Sequence, residues 1–204
     1  MPKAQERISR SFFTRSDVLE ISRDLLGQHL VTEVNGVRTV GRIVETEGYH
    51  QDGDKACHAF GGRRTKRTEV MFMKGGHAYV YLCYGIHHLF NIVTGAKDVG
   101  AAVLIRAVEP AEGAGKMLER RDMSKMEKRL TAGPGILSQA MGITTDWTGF
   151  DLTDPKSPVW LEYGEALPGA KDMESSPRIG VDYAGECTEW PWRFTIKGNK
   201  WLSR

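Results

Sequence analysis

Apolar and polar positions in this chain alternate mostly with period two, interrupted by a few stretches of helical spacing. His77 to Val93 reads as two strands rich in Tyr, Val, Ile and Phe, joined at Tyr84-Gly85, where Gly85 supplies the positive φ of a tight turn. Leu30 to Val34 is a strand, Asn35-Gly36 a hairpin turn, and Val37 to about Tyr49 the returning strand. Ala101 to Val108 is apolar almost throughout and reads as a central strand broken by Glu109-Pro110; Val159–Glu162, Arg178–Val181 and Trp192–Ile196 are shorter strands. Helical spacing governs Val18, Leu19, Ile21, Leu25 and Leu26, behind a capping-box pattern at Thr14-Arg15-Ser16-Asp17 and ahead of Gly27. A second helix with a basic surface is expected over 112–130, and a short third one carries Ile136, Leu137, Ala140 and Met141 after Gly133-Pro134-Gly135. Hairpins with helices between and after them predict an α+β fold: one domain over 1–204, a curved, largely antiparallel sheet, flanking helices and a protruding β-hairpin. Residues 1–11 are expected to form a flexible arm.

Composition narrows the setting. Cys57, Cys83 and Cys187 are an odd number without CxxC spacing, which points away from a disulfide framework or a zinc site and toward a reducing compartment. With no apolar leader and no run of membrane-spanning length, a cytoplasmic protein is expected: nucleoid-associated if bacterial, nuclear if eukaryotic. A net charge of +2 hides an uneven distribution, with basic residues gathered at 63–67 (Arg-Arg-Thr-Lys-Arg) and over 116–130. Such clusters suit a polyanion, and a solvated helix face explains the second equally well.

Three groups of residues carry candidate chemistry. Period two puts Glu45, Glu47 and Tyr49 on one side of their strand, and crowded carboxylates raise each other's pKa, as general acid–base work requires. The bland alternative is a solvated strand face. Arg106 interrupts an apolar strand, so a buried guanidinium there needs Glu45 or Glu47 as partner. Tyr79, Tyr81 and Tyr84, with Asn91 on the returning strand, follow a basic loop whose Gly61-Gly62 would let backbone N–H groups approach phosphate; this is the composition of a base-stacking surface, or else of a sheet core. Tyr84, an aromatic at a turn, either folds back on its sheet or is held out for a ligand. His50 and His58 with Asp52 or Asp54 fit no standard metal spacing, and no metal or other cofactor is expected.

Taken together, the motifs resemble the alkyladenine (3-methyladenine) DNA glycosylase family of animals and many bacteria, from about Phe12 to Phe194. The carrying stretches are Gly41–Tyr49, Ala56-Cys-His58 with Gly61-Gly62, Met71–Lys74, Tyr79–Gly85, Asn91-Ile92 and Val103–Pro110, with lesser matches at Gly133-Pro134 and Arg178–Val181. The resemblance implies a monofunctional base-excision enzyme that flips damaged purines (3-methyladenine, 7-methylguanine, ethenoadenine, hypoxanthine) out of double-stranded DNA and hydrolyses the N-glycosidic bond as a monomer. It implies that Glu47 is the general base and that the carbonyls of Arg106 and Ile179 help hold the attacking water. Tyr49, His58 and Tyr81 would sandwich the base, with His58 also able to donate a hydrogen bond to it. Asn91 would form the pocket floor, and Tyr84 would fill the gap in the duplex. Arg63, Arg64, Thr65 and Arg67 would meet the DNA, although Lys66-Arg67-Thr68 stands where the family has Pro-Arg-Asn. Ile86-His87-His88 also departs from the family's bulkier residues, and either histidine could touch phosphate. A binding domain without catalysis, or a metal-dependent nuclease using Asp52, Asp54 and His58, are the alternatives.

Overall fold

In a computed structural model, which describes residues 6–203, Asn35 and Gly36 adopt φ values of 53° and 74°. Such a left-handed pair matches the twist of the strands it joins, here β1 (His29–Val34) and β2 (Val37–His50). The remaining strands are β3 (Ala78–Cys83), β4 (His87–Val93), β5 (Ala101–Glu112), β6 (Val159–Glu162), β7 (Met173–Ser176) and β8 (Arg193–Ile196). They form one sheet in the order β3-β4-β5-β2-β1-β6, with β8 paired to the second half of β2 and β7 to β8. All of these pairings are antiparallel, so the α+β expectation holds. β2 is thereby flanked on both edges: β5 on one, β1 and then β8 on the other.

The sheet has two dressed faces. On one, Val18, Ile21, Leu137 and Met141 from the helices pack against Ile43, Val103 and Ile105. The helices are α1 (Arg10–Phe13), α2 (Val18–Asp24), α3 (Ala114–Arg120) and α4 (Pro134–Met141). On the other face, where Ala102 points because side chains alternate, the connection between β2 and β3 supplies Cys57 and Ala59 from a loop and Met71 and Phe72 from a 3-10 turn to pack with Tyr79 and Val93. β5 is buried on both sides, which is why it reads as an unbroken apolar run.

Five expectations are corrected. Asp17, not Thr14, caps α2, its Oδ1 accepting from the backbone N–H groups of Leu19 (2.8 Å) and Glu20 (3.1 Å), while Thr14 closes α1. β5 runs through Pro110 to Glu112, because Pro110 faces Gly41 at a register shift where a missing N–H breaks no regular ladder bond. The helix expected over 112–130 ends after Arg120, and Asp122 takes φ of 50°. Beyond it Met123 and Leu130 still reach the core, Leu130 from a short 3-10 turn, while Met126 between them is exposed, so the segment buries its apolar residues without a continuous helical face. Arg178–Val181 is no strand: Gly180 turns with φ of 78°, and the strand lies earlier, in Met173–Ser176, a polar stretch without alternation. Of the expected arm, residues 1–5 lie outside the described residues, but from Arg7 the chain is packed. Arg7 bridges to Glu162, the Ile8 N–H donates to the Leu161 carbonyl at 2.9 Å, and Ile8 and Phe13 join the core.

Candidate active site

The center of the site is set by two interruptions in the β2–β5 ladder. Glu45 pairs with Ala107 and Thr46 with Ile105, so Arg106 is skipped; Val44 is skipped on β2. Bulges re-aim the side chain they carry, and Arg106 turns onto the carboxylates, Nε donating to Glu45 Oε1 at 3.0 Å and Nη1 to Glu47 Oε2 at 3.3 Å. Both glutamates are fully buried, so the solvated-face alternative fails. Glu47 accepts two further hydrogen bonds, from the Tyr49 hydroxyl (2.7 Å, Oε2) and from the Ile179 backbone N–H (2.8 Å, Oε1). The grouping of Glu45, Glu47 and Tyr49 agrees with the sequence reading, and where that reading offered Arg106 either Glu45 or Glu47, the guanidinium takes both.

The expected rise in carboxylate pKa does not hold for Glu45. Burial pushes its carboxyl up, but donors from Ser203, Arg106 and Arg193 outweigh burial and hold it below the ordinary range. Burial and then Glu47 raise the Tyr49 phenol well above its usual value, so it stays a neutral donor.

Tyr49, His58, Tyr81, Asn91, Arg106 and Ile179 line one cavity of about 180 Å³, with Tyr84 at its rim. His58 stands edge-on to Tyr81, ring centroids 4.7 Å apart. Its Nδ1 is 2.8 Å from the Tyr79 hydroxyl, which lies 3.4 Å from Arg67 Nε. Arginine only donates, so the hydroxyl accepts from Arg67; when it gives its own proton to Nδ1, His58 carries its proton on Nε2. Burial, then Arg67, lowers the His58 pKa to about 4, so the imidazole is neutral at physiological pH. The Asn91 amide donates to the carbonyls of Tyr79 and Leu89, both at 3.1 Å, which fixes its orientation in the hairpin.

Tyr84 does not fold back: 90% of its surface is exposed. Tyr84 and Gly85 have φ of 52° and 73° and are closed by the Ile86 N–H donating to the Cys83 carbonyl at 3.2 Å, a type I′ turn with a tyrosine at a position that favours Asn or Gly. Arg63, Arg64, Thr65 and Arg67 are exposed. Arg64 is tied to Glu69 and Asp98, whereas Lys55, Arg63, Thr65 and Arg67 line a second cavity that shares Ala56, His58 and Tyr183 with the first. At the hairpin base, His88 Nδ1 accepts from the Thr145 N–H at 3.1 Å. A Cβ on Gly135 would come within 2.8 Å of the His87 ring, so the Gly-Pro-Gly turn serves close packing of α4 on the hairpin.

Sequence reasoning missed a buried ion pair. Asp54 and Arg178 form a fully buried, bidentate pair with both bonds at 2.7 Å, and Arg178 Nη1 also donates to the Gly48 carbonyl. The guanidinium carbon lies 4.7 Å from the Tyr49 ring centroid and 5.1 Å from that of Trp192. This pair holds the loop that brings the Ile179 N–H to Glu47. Asp54 is thereby committed to Arg178, which removes it from any metal set with Asp52 and His58, and no group of three such ligands gathers among the described residues. Nor, among them, is any helix long and apolar enough to cross a membrane.

Comparison with known proteins places these features in context. The family model for methylpurine-DNA glycosylase (MPG) matches residues 11–200. A Bacillus cytotoxicus protein named "Putative 3-methyladenine DNA glycosylase" is 44% identical over 204 residues, covering 94% of this chain and 97% of the relative. Proteins of the same name from Bacillus thuringiensis (43% over 198 residues; 94% of this chain and 97% of the relative) and Chlamydia felis (42% over 194; 95% and 97%) are similar over comparable spans.

Proposed function

This chain belongs to the methylpurine-DNA glycosylase family, hydrolases of N-glycosyl bonds in DNA, and from that premise we propose that it excises alkylated purines from double-stranded DNA with a water activated by Glu47. The observation that carries the reading is the setting of Glu47: a carboxylate has about four acceptor positions, and here Tyr49, Arg106 and Ile179 occupy three. One position is left for a water, beside a cavity walled by aromatic rings. The register skip at Arg106 leaves its backbone outside the regular ladder, so its carbonyl can serve as a second acceptor for that water.

In the proposed reaction the damaged nucleotide leaves the stack, at a cost of a few kcal/mol, and its base enters between Tyr49, His58 and Tyr81. Glu47 takes a proton from the water as its oxygen bonds to C1′. The C1′–N bond breaks with its electron pair going to the base. A purine alkylated at N3 or N7 is cationic and departs neutral, so it needs no proton. Aromatic faces favour that cation, and a neutral His58 does not repel it. Hypoxanthine must be protonated as it leaves and is the harder substrate. Tyr84 would enter the duplex from the minor groove and hold the flipped state, while the basic loop meets phosphates. The protein would act as a single-domain monomer in the bacterial cytoplasm, at the nucleoid.

The test is release of 3-methyladenine, 7-methylguanine, ethenoadenine or hypoxanthine from duplex DNA with EDTA present, leaving an intact strand with an abasic site. Binding without release would mark a non-catalytic domain, and strand cleavage abolished by EDTA a metal nuclease.

Tyr84 yields a second expectation, in which stability and function oppose each other. Tyr84→Gly removes a left-handed non-glycine residue and should stabilise the free protein by about 1 kcal/mol. It should also weaken lesion capture by roughly 1–3 kcal/mol, the usual contribution of a stacked aromatic. Thermal melting and ethenoadenine fluorescence measure the two effects; unchanged flipping in the variant would refute the wedge role.

A further inference from the structure

Glu45 has no part in the hydrolysis laid out above, yet it is the most heavily bonded carboxylate near it. Its oxygens accept from Arg106 Nε (3.0 Å), Arg193 Nε (2.7 Å), the Ser203 backbone N–H (2.6 Å) and the Ser203 hydroxyl (2.6 Å). The same hydroxyl oxygen accepts from Arg106 Nη2 at 3.4 Å. Ser203 therefore touches both members of the pair that flanks Glu47. Its place does not depend on those bonds alone. Trp201 is buried in the core, its backbone N–H donates to Asn199 Oδ1 at 2.8 Å, and Asn199 Nδ2 donates to Glu109 at 3.1 Å.

We propose that Ser203 is a positioning residue for the excision reaction, clamping Glu45 against the Nε and Nη2 edge of Arg106 so that Glu47 receives only Nη1. This rests on the reading of Glu47 as general base. The geometry matters because a guanidinium free to swing would pair with Glu47 through two parallel bonds, the strong mode of arginine–carboxylate recognition. A carboxylate held that way has neither the free acceptor position nor the readiness to take a proton from water. With Glu45 and Ser203 occupying two of its three nitrogens, Arg106 instead supports Glu47 through one hydrogen bond of 3.3 Å. Residues 45, 106 and 203 thus form a brace assembled from β2, β5 and the segment after β8.

The test uses the full chain and an ethenoadenine duplex, comparing single-turnover excision by Ser203→Ala, Ser203→Cys and Ser203→Thr. Loss of one hydrogen bond to a charged group should slow Ser203→Ala roughly tenfold. Ser203→Cys, a weaker donor, should fall between, and Ser203→Thr should restore the rate to within about threefold. Lesion-duplex affinity, measured below the melting transition, should stay within about twofold throughout, since only the chemical step is touched. A wild-type rate for Ser203→Ala, a parallel fall in affinity, or failure of threonine to rescue would each overturn the proposal. Should Ser203→Ala not fold, the rate order of the cysteine and threonine variants decides. Glu47→Gln is the control for the underlying reading. If it excises normally, the general-base assignment fails; if it is inactive while Ser203→Ala is normal, only the role of Ser203 fails.

Discussion

Glu47→Gln should lose most of its excision activity while still binding and flipping the lesion. Glutamine has nearly the shape of glutamate and can still accept from the Ile179 N–H or from the Tyr49 hydroxyl, so the strand and the pocket wall persist. What it lacks is the capacity to accept a proton. General-base assistance is worth about 10²–10⁴-fold, and that is the expected drop in the single-turnover rate on ethenoadenine DNA. Binding should not suffer, because Glu47 is fully buried and, in the proposed reaction, would meet the water rather than the duplex. The substitution also removes one negative charge from a buried set that otherwise balances, with Glu45 and Glu47 against Arg106 and Arg193. Affinity for the polyanion should therefore hold or rise slightly. Stopped-flow fluorescence of ethenoadenine separates flipping from cleavage, and an undiminished cleavage phase would remove Glu47 from the mechanism.

The parts of this site written into the sequence are those made by local rules. Alternation along β2 placed Glu45, Glu47 and Tyr49 together, and the cost of burying a guanidinium tied Arg106 to them. The glycine after Tyr84 marked the turn. Contacts between distant segments left no comparable trace. Asp54 lies in a loop whose His and Asp residues invite a metal reading, and Arg178 lies in a stretch whose Ile and Val invite a strand reading; neither pattern announces that the two meet across 124 positions. Ser203 shows the same problem at 158 positions from Glu45. These partners also explain why the expected pKa rise failed at Glu45. Repulsion between two nearby acids can be read from one strand, but the donors that outweigh it arrive from β5, β8 and the segment that follows.

Asp54→Ala should be the most destabilising single substitution near the site, and it should damage catalysis without touching a reacting atom. Breaking a fully buried pair from one side strands the other charge, at about 3–5 kcal/mol. In a chain of this length that lowers the melting temperature on the order of 10 °C. The stranded group would be Arg178, whose remaining acceptors are the carbonyls of Gly48 and Cys187. As Arg178 relaxes, the Ile179 N–H moves away from Glu47 Oε1, and the carboxylate loses the donor that orients it. Excision at a temperature where the variant is still folded should therefore fall as well. Arg178→Lys separates the two effects: it keeps the charge opposite Asp54 but not the planar fork that makes two parallel bonds. Its melting temperature should recover much of the loss, while its excision rate stays below wild type because the loop is no longer held in register. If Arg178→Lys regains stability and full activity together, the buried pair serves the fold alone, and the orientation of Glu47 must come from Tyr49 and Arg106.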